Sequence, residues 1–287
     1  MAVVGTIKEI WRFPVKSMAG QKLQAAQVGP IGIVGDRLWA TRNDTAQEIQ
    51  GAKKFPELMQ CSAKFREEPA DDRVPHVDIT FPDGSVTGSD APGLAAKLTG
   101  LVGKPMSLWP IQPPSDLAHY RRRPMNEQEF GEEMQDIFQR EPGEAFPALE
   151  QFPKEILEFT SFPGMYFDVT PIHLLTTTSL AHLAGLNPAA DWDVRRFRPN
   201  FVIEAANGRQ GFVETDWIGK DMRIGGVTLH CPGPTPRCGM TTRAQNGLPF
   251  DKSILRTIVK DAEQNVGLYA LVAAAGTIRL GDAVEIG

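Results

Sequence analysis

The sequence predicts a mainly β fold, of the α+β kind, with few short helices and two β-rich halves. Three observations carry this. The 287 residues include 27 Gly and 23 Pro spread along the whole chain, a composition that favours short strands joined by turns. Apolar and polar residues alternate over several short runs, each bounded by turn residues. Segments with helical periodicity are few and short.

Taken in order, Leu58–Ala63 around Cys61 reads as a strand. Val77, Ile79 and Phe81 alternate with polar neighbours, and Pro82-Asp83-Gly84 turns the chain back into Ser85-Val86-Thr87. Asp90 is placed to cap a helix running to about Gly100. Residues 113–165 stand apart, with seven prolines from Pro113 to Pro163, many acids and one helical stretch near Glu127–Phe138. They read as a Pro-rich, acidic excursion between a first unit, 1–112, and a second, 166–287. In the second unit, Thr178 or Ser179 starts a helix through Leu183, ended by Gly185 and Pro188. Phe201-Val202-Ile203 follows as a strand. Met222-Arg223-Ile224 and Val227-Thr228-Leu229 flank Gly225-Gly226, a pair suited to a two-residue hairpin. The longest helix begins at Asp251 and buries Ile254, Leu255, Ile258, Val259 and Ala262, with Gly267 past its end. Thr277–Ile286 alternates as one closing strand.

Composition narrows the function. Hydrophobic residues make up 41% and charged residues 23%, the balance of an ordinary globular protein. A formal net charge of -5 argues against a nucleic-acid partner, and Arg121-Arg122-Arg123 reads as a solvated loop. No apolar run approaches the roughly 20 residues that cross a bilayer. Met1–Lys8 lacks the basic and apolar regions of a secretory signal. Three cysteines cannot build a disulfide framework, which suits a reducing compartment. A cytoplasmic location and no membrane partner are therefore expected.

The cysteines carry the chemistry worth weighing. Cys61 and Cys231 sit in strand-like runs and read as small buried apolar residues. Cys238 differs: it lies in Pro232-Gly233-Pro234-Thr235-Pro236-Arg237-Cys238-Gly239-Met240, a proline-stiffened loop beside a guanidinium. Rigid presentation next to a cation suits a reactive or metal-binding thiol, although these residues alone leave structure and function both open. A zinc site from His230, Cys231 and Cys238 lacks a CxxC pair and a fourth ligand. No Gly-x-Ser-x-Gly elbow occurs, and Gly29–Gly35 lacks the spacing of a nucleotide loop, so it reads as a turn. Lys16 with Ser17, Arg37, and Arg198 with Asn200 each stand at the end of a strand-like run beside a turn. Basic and hydroxyl groups so placed suit a phosphate, with surface salt bridging as the alternative.

Arg12-Phe13-Pro14-Val15-Lys16-Ser17 and Gly35-Asp36-Arg37-Leu38-Trp39 resemble the N-terminal β-barrel domain that accompanies MOSC domains. Arg196–Ile203, Arg237-Cys238-Gly239-Met240-Thr241-Thr242 and Gly276–Asp282 resemble the MOSC domain itself. The match runs in the family's order over both halves, outside the excursion. That family is similar to the C-terminal part of molybdenum cofactor sulfurase and includes the amidoxime-reducing component. The resemblance implies a β-barrel fold and a molybdenum–molybdopterin cofactor, with Cys238 as metal ligand and catalytic residue. It further implies that Lys16, Ser17, Arg37, Lys53, Thr170, Arg198, Asn200 and Arg237 hold the pterin and its phosphate. Three positions depart from the pattern. Lys53 stands where the family usually has Arg, replacing a forked donor with a point charge. Thr170 stands for Ser, and Pro236 replaces a hydroxyl residue before Arg-Cys.

The function so implied is a molybdenum oxidoreductase that removes oxygen from N-hydroxylated or N-oxide-type small molecules. An iron–sulfur cluster normally takes four cysteines and the chain has three, so an external ferredoxin- or cytochrome-type donor with its reductase is expected. Two alternatives use the same residues: a sulfur carrier with a Cys238 persulfide, and a protein that stores or escorts the cofactor. Pyridoxal phosphate is not called for, because nothing marks a Schiff-base lysine.

Overall fold

Seven strands close into a barrel, in the order Phe201–Ala205, Ile172–Thr176, Asn265–Ala274, Val227–Pro236, Asp221–Ile224, Ala283–Ile286, Ala2–Arg12 and back to Phe201–Ala205. This is a computed structural model, and it describes residues 1–70, 73–148, 153–206 and 208–287. Every barrel pairing is antiparallel except Ile172–Thr176 with Phe201–Ala205. The helix Thr177–Leu186 makes the crossover that a parallel pair requires. Ile7, Ile10, Leu174, Phe201, Trp217 and Leu229 are among the side chains that fill the interior. The mainly β expectation with few helices therefore holds, and the β fold closes as a barrel.

A second core lies between two of the three small sheets, while the third packs on the barrel core. Trp39–Asn43, Met106–Pro110 and Glu48–Ile49 form one sheet; Ser62–Phe65, Val77–Thr80 and Val86–Gly88 form another. Val15, Met18, Trp39, Leu58, Ile79 and Leu98 pack between them. The third sheet joins the halves, because Gly276–Arg279 pairs with Ala25–Gly29. The chain boundaries at 112 and 166 thus do not separate the sheets. The first strand belongs to the barrel, and a late strand returns to the N-terminal part.

Several local expectations shift. Thr277–Ile286 is two strands, Gly276–Arg279 and Ala283–Ile286, because Gly281 at φ 82° turns the chain between two different sheets. Asp90 does not cap a helix; it pairs with Arg66 at 3.0 Å, and the helix Leu94–Val102 starts after Gly93. Thr176 caps Thr177–Leu186, accepting from Ser179 N. Pro56–Gln60 is a 3-10 turn, so Cys61 precedes a strand, buried and with its thiol pushed up to about 11 by burial. The hairpin at Gly225-Gly226 and the helix Lys252–Asp261, capped by Asp251, form where expected. Among the described residues, no helix is long and apolar enough to cross a membrane.

Among its described residues the excursion has Glu127–Phe138 as its longest helix, whose N-terminus Asn126 and Glu129 close in a capping box. Its arginines are paired: Arg121 with Glu158, Arg122 with Glu133, Arg123 with Glu129. Tyr120, Phe159 and Tyr166 pack with Ala40 and Ile49, tying it to the N-terminal part.

One buried acid lies away from any cavity. Glu214 accepts from Thr176 Oγ1 at 2.6 Å and from Ser179 Oγ. Burial raises its pKa, and the two hydroxyl donors offset that only in part. A raised folded pKa means that folding takes up a proton. Stability is then greatest below the unfolded value of about 4.3 and declines as pH rises through the folded value. Glu214→Gln removes that decline, so the melting-temperature gain over wild type is expected to widen from pH 5 to pH 8. A gain that stays flat or narrows over that range would contradict the account.

Candidate functional site

The site begins where the strand Ala2–Arg12 leaves the barrel. Val15 and Met18 enter the N-terminal core, so the segment between them must cross the seam between the two cores. Backbone bonds fix the crossing: Lys16 N donates to Trp39 O at 2.8 Å and Arg37 N to Phe13 O at 2.7 Å. Asp36, itself buried, accepts from Phe13 N at 2.7 Å and Asn200 Nδ2 at 2.9 Å, and pairs with Arg37. Ser17, Arg37 and Arg198 all sit at positive φ, 74°, 54° and 54°. A non-glycine backbone in that region is strained, and such strain concentrates at functional sites.

These three turns converge on a cavity of about 170 Å³ lined by Lys16, Ser17, Arg37, Lys53, Thr170, Arg198, Arg237 and Cys238. Eight of the nine residues singled out in the sequence therefore meet at one place. Asn200 does not line it. Its side chain faces inward, donating to Asp36 and accepting from His173 N at 3.1 Å, so it braces the wall instead of meeting a ligand. Ser17 Oγ accepts from Ala52 N at 2.8 Å. A Cβ on Gly51 would stand 2.3 Å from that oxygen, so only glycine lets the Lys53 loop approach so closely.

The electrostatics are those of an anion cradle. Phe13 stacks between two guanidinium groups, Arg198 at 4.3 Å and Arg37 at 4.9 Å from its ring centroid. Burial and the neighbouring Arg37 cation push Arg198 down to about 9. Burial also lowers Arg237, against the pull of Cys238. Arg198 donates to Met18 O and Arg237 to Phe197 O. Among the described residues, however, buried Arg198 Nη2 and Arg237 Nε have no hydrogen-bond partner. A buried cluster of cations with idle donors is costly unless an anion completes it.

Cys238 stands at the end of the strand Val227–Pro236. The prolines expected to stiffen a loop lie inside this strand, which pairs with Asn265–Ala274 through three register shifts. The neighbouring strand Asp221–Ile224 pairs only as far as His230. Among the described residues, backbone bonds on that side run on only to Cys231, with Lys220 and Gly219, so the proline N–H groups missing beyond it break no ladder there. Cys238 then caps the 3-10 turn Gly239–Thr242, where Thr241 Oγ1 donates to Cys238 O at 3.1 Å. Its side chain is half-buried in the cavity wall, unlike Cys61 and Cys231, which are fully buried. His230 pairs with Asp221 at 2.9 Å, so it, Cys231 and Cys238 do not converge.

Sequence reasoning missed several lining residues, among them Asp168, His173 and Tyr269. Asp168 bridges Lys16 at 2.9 Å and Lys53 at 3.2 Å. Burial opposes its charge, but the two ammonium groups hold its carboxyl far below the usual range. Burial lowers Lys16, while at Lys53 the pull of Asp168 and Cys238 outweighs burial and raises it. His173 is pushed down to about 3 by burial and by the Arg237 cation, so it is neutral. Gly267, at φ 83°, passes so near that a Cβ would meet His173 Nε2 at 2.5 Å. Tyr269 closes the same side, its phenol held protonated by burial. A lone acid, a lone histidine and a strand tyrosine carry no local pattern; only Thr170-Pro171, two residues beyond Asp168, stood near a signal.

Comparison with known proteins follows this geometry. Residues 162–285 match the MOSC domain, and residues 4–94 match the MOSC N-terminal beta barrel domain. Mitochondrial amidoxime reducing component 2 of Bos taurus is 24% identical, the match covering 98% of this chain and 83% of that protein. The Rattus norvegicus protein of the same name is 26% identical over the same shares. A crystal structure of the YUAD protein from Bacillus subtilis covers 99% of this chain and 95% of that one, at 11% identity and a TM-score of 0.47.

Proposed function

The chain is a MOSC domain protein with a MOSC N-terminal β-barrel domain, and on that premise we propose that it is a molybdenum–molybdopterin oxidoreductase reducing N-hydroxylated or N-oxide-type small molecules with electrons from an external donor. The observation that carries the reading is the cationic cavity with Cys238 in its wall and idle guanidinium donors behind it. A pterin phosphate would give those donors an acceptor, and a thiolate is a soft ligand suited to a heavy metal. The residues present fit the group. A bare persulfide on Cys238 would leave Arg198 Nη2 and Arg237 Nε without an acceptor, which favours the cofactor reading over sulfur transfer.

In this reading Arg37, Arg198, Lys16 and Ser17 hold the anionic end, while Thr170 and Arg237 flank the metal end beside Cys238. When bound, the cofactor supplies two-electron oxygen-atom chemistry, and the protein supplies position and electrostatics. Asp168 stays ionised and holds both lysine ammonium groups in place. Lys53, its pKa raised by Asp168 and by Cys238 in the same cavity, stays a cation and adds to the field that attracts an anion. His173, neutral, contributes no cation on that side.

Protein made in a molybdenum-replete host is expected to retain molybdenum and pterin in near-equal amounts. The double variant Arg37→Met/Arg198→Met is expected to lose pterin at least about tenfold, since each loses a charge-assisted contact worth roughly 1.5–3 kcal/mol. Full pterin retention in that variant, or turnover by molybdenum-free protein, would refute the assignment. Robust turnover with NADPH and no partner protein would refute the external donor.

A further inference from the structure

A second cavity, of about 100 Å³, adjoins the first and is walled by the excursion. Phe130, Met134, Ile137 and Phe138 of its helix face Ile156, Phe159 and Phe162. The two cavities share Lys53, Ile137, Phe138, Asp168 and Val169, so each opens toward the other across the Lys53–Asp168 pair. Most polar groups at its rim are already engaged, Arg122 Nε excepted. Arg122 pairs with Glu133, Thr160 Oγ1 donates to Tyr120 O at 3.1 Å, and Ser161 Oγ accepts from Lys16 at 3.2 Å.

An empty apolar space forfeits dispersion contacts, and a free helix would settle into it. This helix is pinned away from it. Arg140, just past its end, bonds Arg237 O at 3.3 Å and Gln264 Oε1 at 2.8 Å. Arg256 Nη2 donates to Gln139 O at 2.6 Å. The same turn stands over Gly239, where a Cβ would meet the Gln139 side chain at 2.5 Å. A preformed apolar chamber beside a polar reaction site is the form that small-molecule recognition takes.

We propose that this chamber receives the apolar body of the substrate, a single ring or a branched alkyl group, and thereby selects substrates by the group attached to the N–O function. The inference rests on the reductase reading for the direction in which the N–O end points, past Lys53 toward Cys238. An apolar cavity of about 150 Å³ takes a benzene ring, so this smaller chamber, open on one side, takes one ring and excludes a fused pair. Apart from Lys53, Arg122 and Asp168, which are already ion-paired, its walls are uncharged and disfavour a substrate whose body carries a charge.

The test compares N-hydroxybenzamidine with N-hydroxyacetamidine, using the cofactor-loaded protein and an artificial electron donor. Wild type is expected to favour the ring compound by about a hundredfold in kcat/KM, the discrimination apolar pockets reach. Ile156→Trp fills the chamber from a half-buried position outside the cofactor cavity. It is expected to erase that preference while the acetamidine rate and the molybdenum content stay unchanged. Phe130→Trp fills it from the helix side and serves if Ile156→Trp does not fold. Equal loss for both substrates, or an intact preference in a folded filling variant, would overturn the proposal. A readout without turnover separates the two readings: fluorine NMR of 4-fluorobenzamide, broadened by wild type and not by the filled variant. Such broadening with neither amidine reduced sinks the reductase reading and keeps the chamber. Broadening by both proteins, or by neither, sinks the chamber.

Discussion

Cys238→Ser is expected to lower turnover by at least about a thousandfold, the scale of losing a group that acts at the reacting centre. An oxygen replaces the sulfur at the one cysteine that reaches the cavity, and a hydroxyl is a harder and weaker ligand for the metal. Retention of pterin should change little, because Arg37, Arg198 and Lys16 hold the other end of the cavity. Stability should change by less than about 1 kcal/mol, since the side chain is only half-buried and no side-chain bond of the turn depends on it. Turnover, pterin content and melting temperature measured together distinguish this from a folding defect. A serine variant that reduces N-hydroxylated compounds at the wild-type rate would remove the ligand assignment. Cyanide-labile sulfur on the wild-type cysteine, with no molybdenum, would move the function to sulfur transfer.

Arg196→Met is expected to destabilise the protein by roughly 3–5 kcal/mol. Arg196 is 1% exposed, and among the described residues its guanidinium has no carboxylate partner in hydrogen-bond contact. Instead it donates to the carbonyls of Asp191 at 2.9 Å, Pro249 at 2.9 Å, and Thr241 and Arg243 at 3.4 Å. Thr241 lies in the turn that Cys238 caps and Arg243 ends it, so this one buried cation holds the turn in place. Methionine fills the volume and leaves these acceptors unsatisfied inside the protein. A melting temperature lower by about 10 °C follows from 2–4 °C per kcal/mol in a chain of this size. Cofactor should be lost alongside, although the guanidinium nitrogens of Arg196 are already engaged by carbonyls. Arg196→Lys, which keeps the charge but not the fork, should recover only part of the loss. Melting within about 2 °C of wild type would show that the carbonyl cluster does not depend on the guanidinium.

The two residues show where local sequence rules stop. Arg196 stands in a recognisable motif beside Arg198 and both line the cavity, yet nothing in the string says that Arg196 alone spends its guanidinium on the carbonyls of the turn. Asn200 and Asp168 make the same point in opposite directions. Asn200 belongs to the motif but turns inward to Asp36, while Asp168 belongs to no motif and stands between two lysines of the cavity. The excursion read from composition as a boundary; its helix supplies one wall of a chamber and covers the Cys238 turn.

What the sequence by itself determined is whatever depends on near neighbours. Alternation placed the hairpin over 222–229, an aspartate placed the start of Lys252–Asp261, and the proline-flanked Arg-Cys pair marked Cys238. The tertiary structure alone decided that the first strand closes the barrel of the last, and that the run 277–286 divides between two sheets. It alone decided which charges meet. Lys16 and Asp168 lie 152 positions apart and Arg140 and Gln264 lie 124 apart, and only burial of two separate cores brings their backbones together. Propensity and turn chemistry act over a few residues, whereas a site at the seam of two cores is made by contacts that no short window contains.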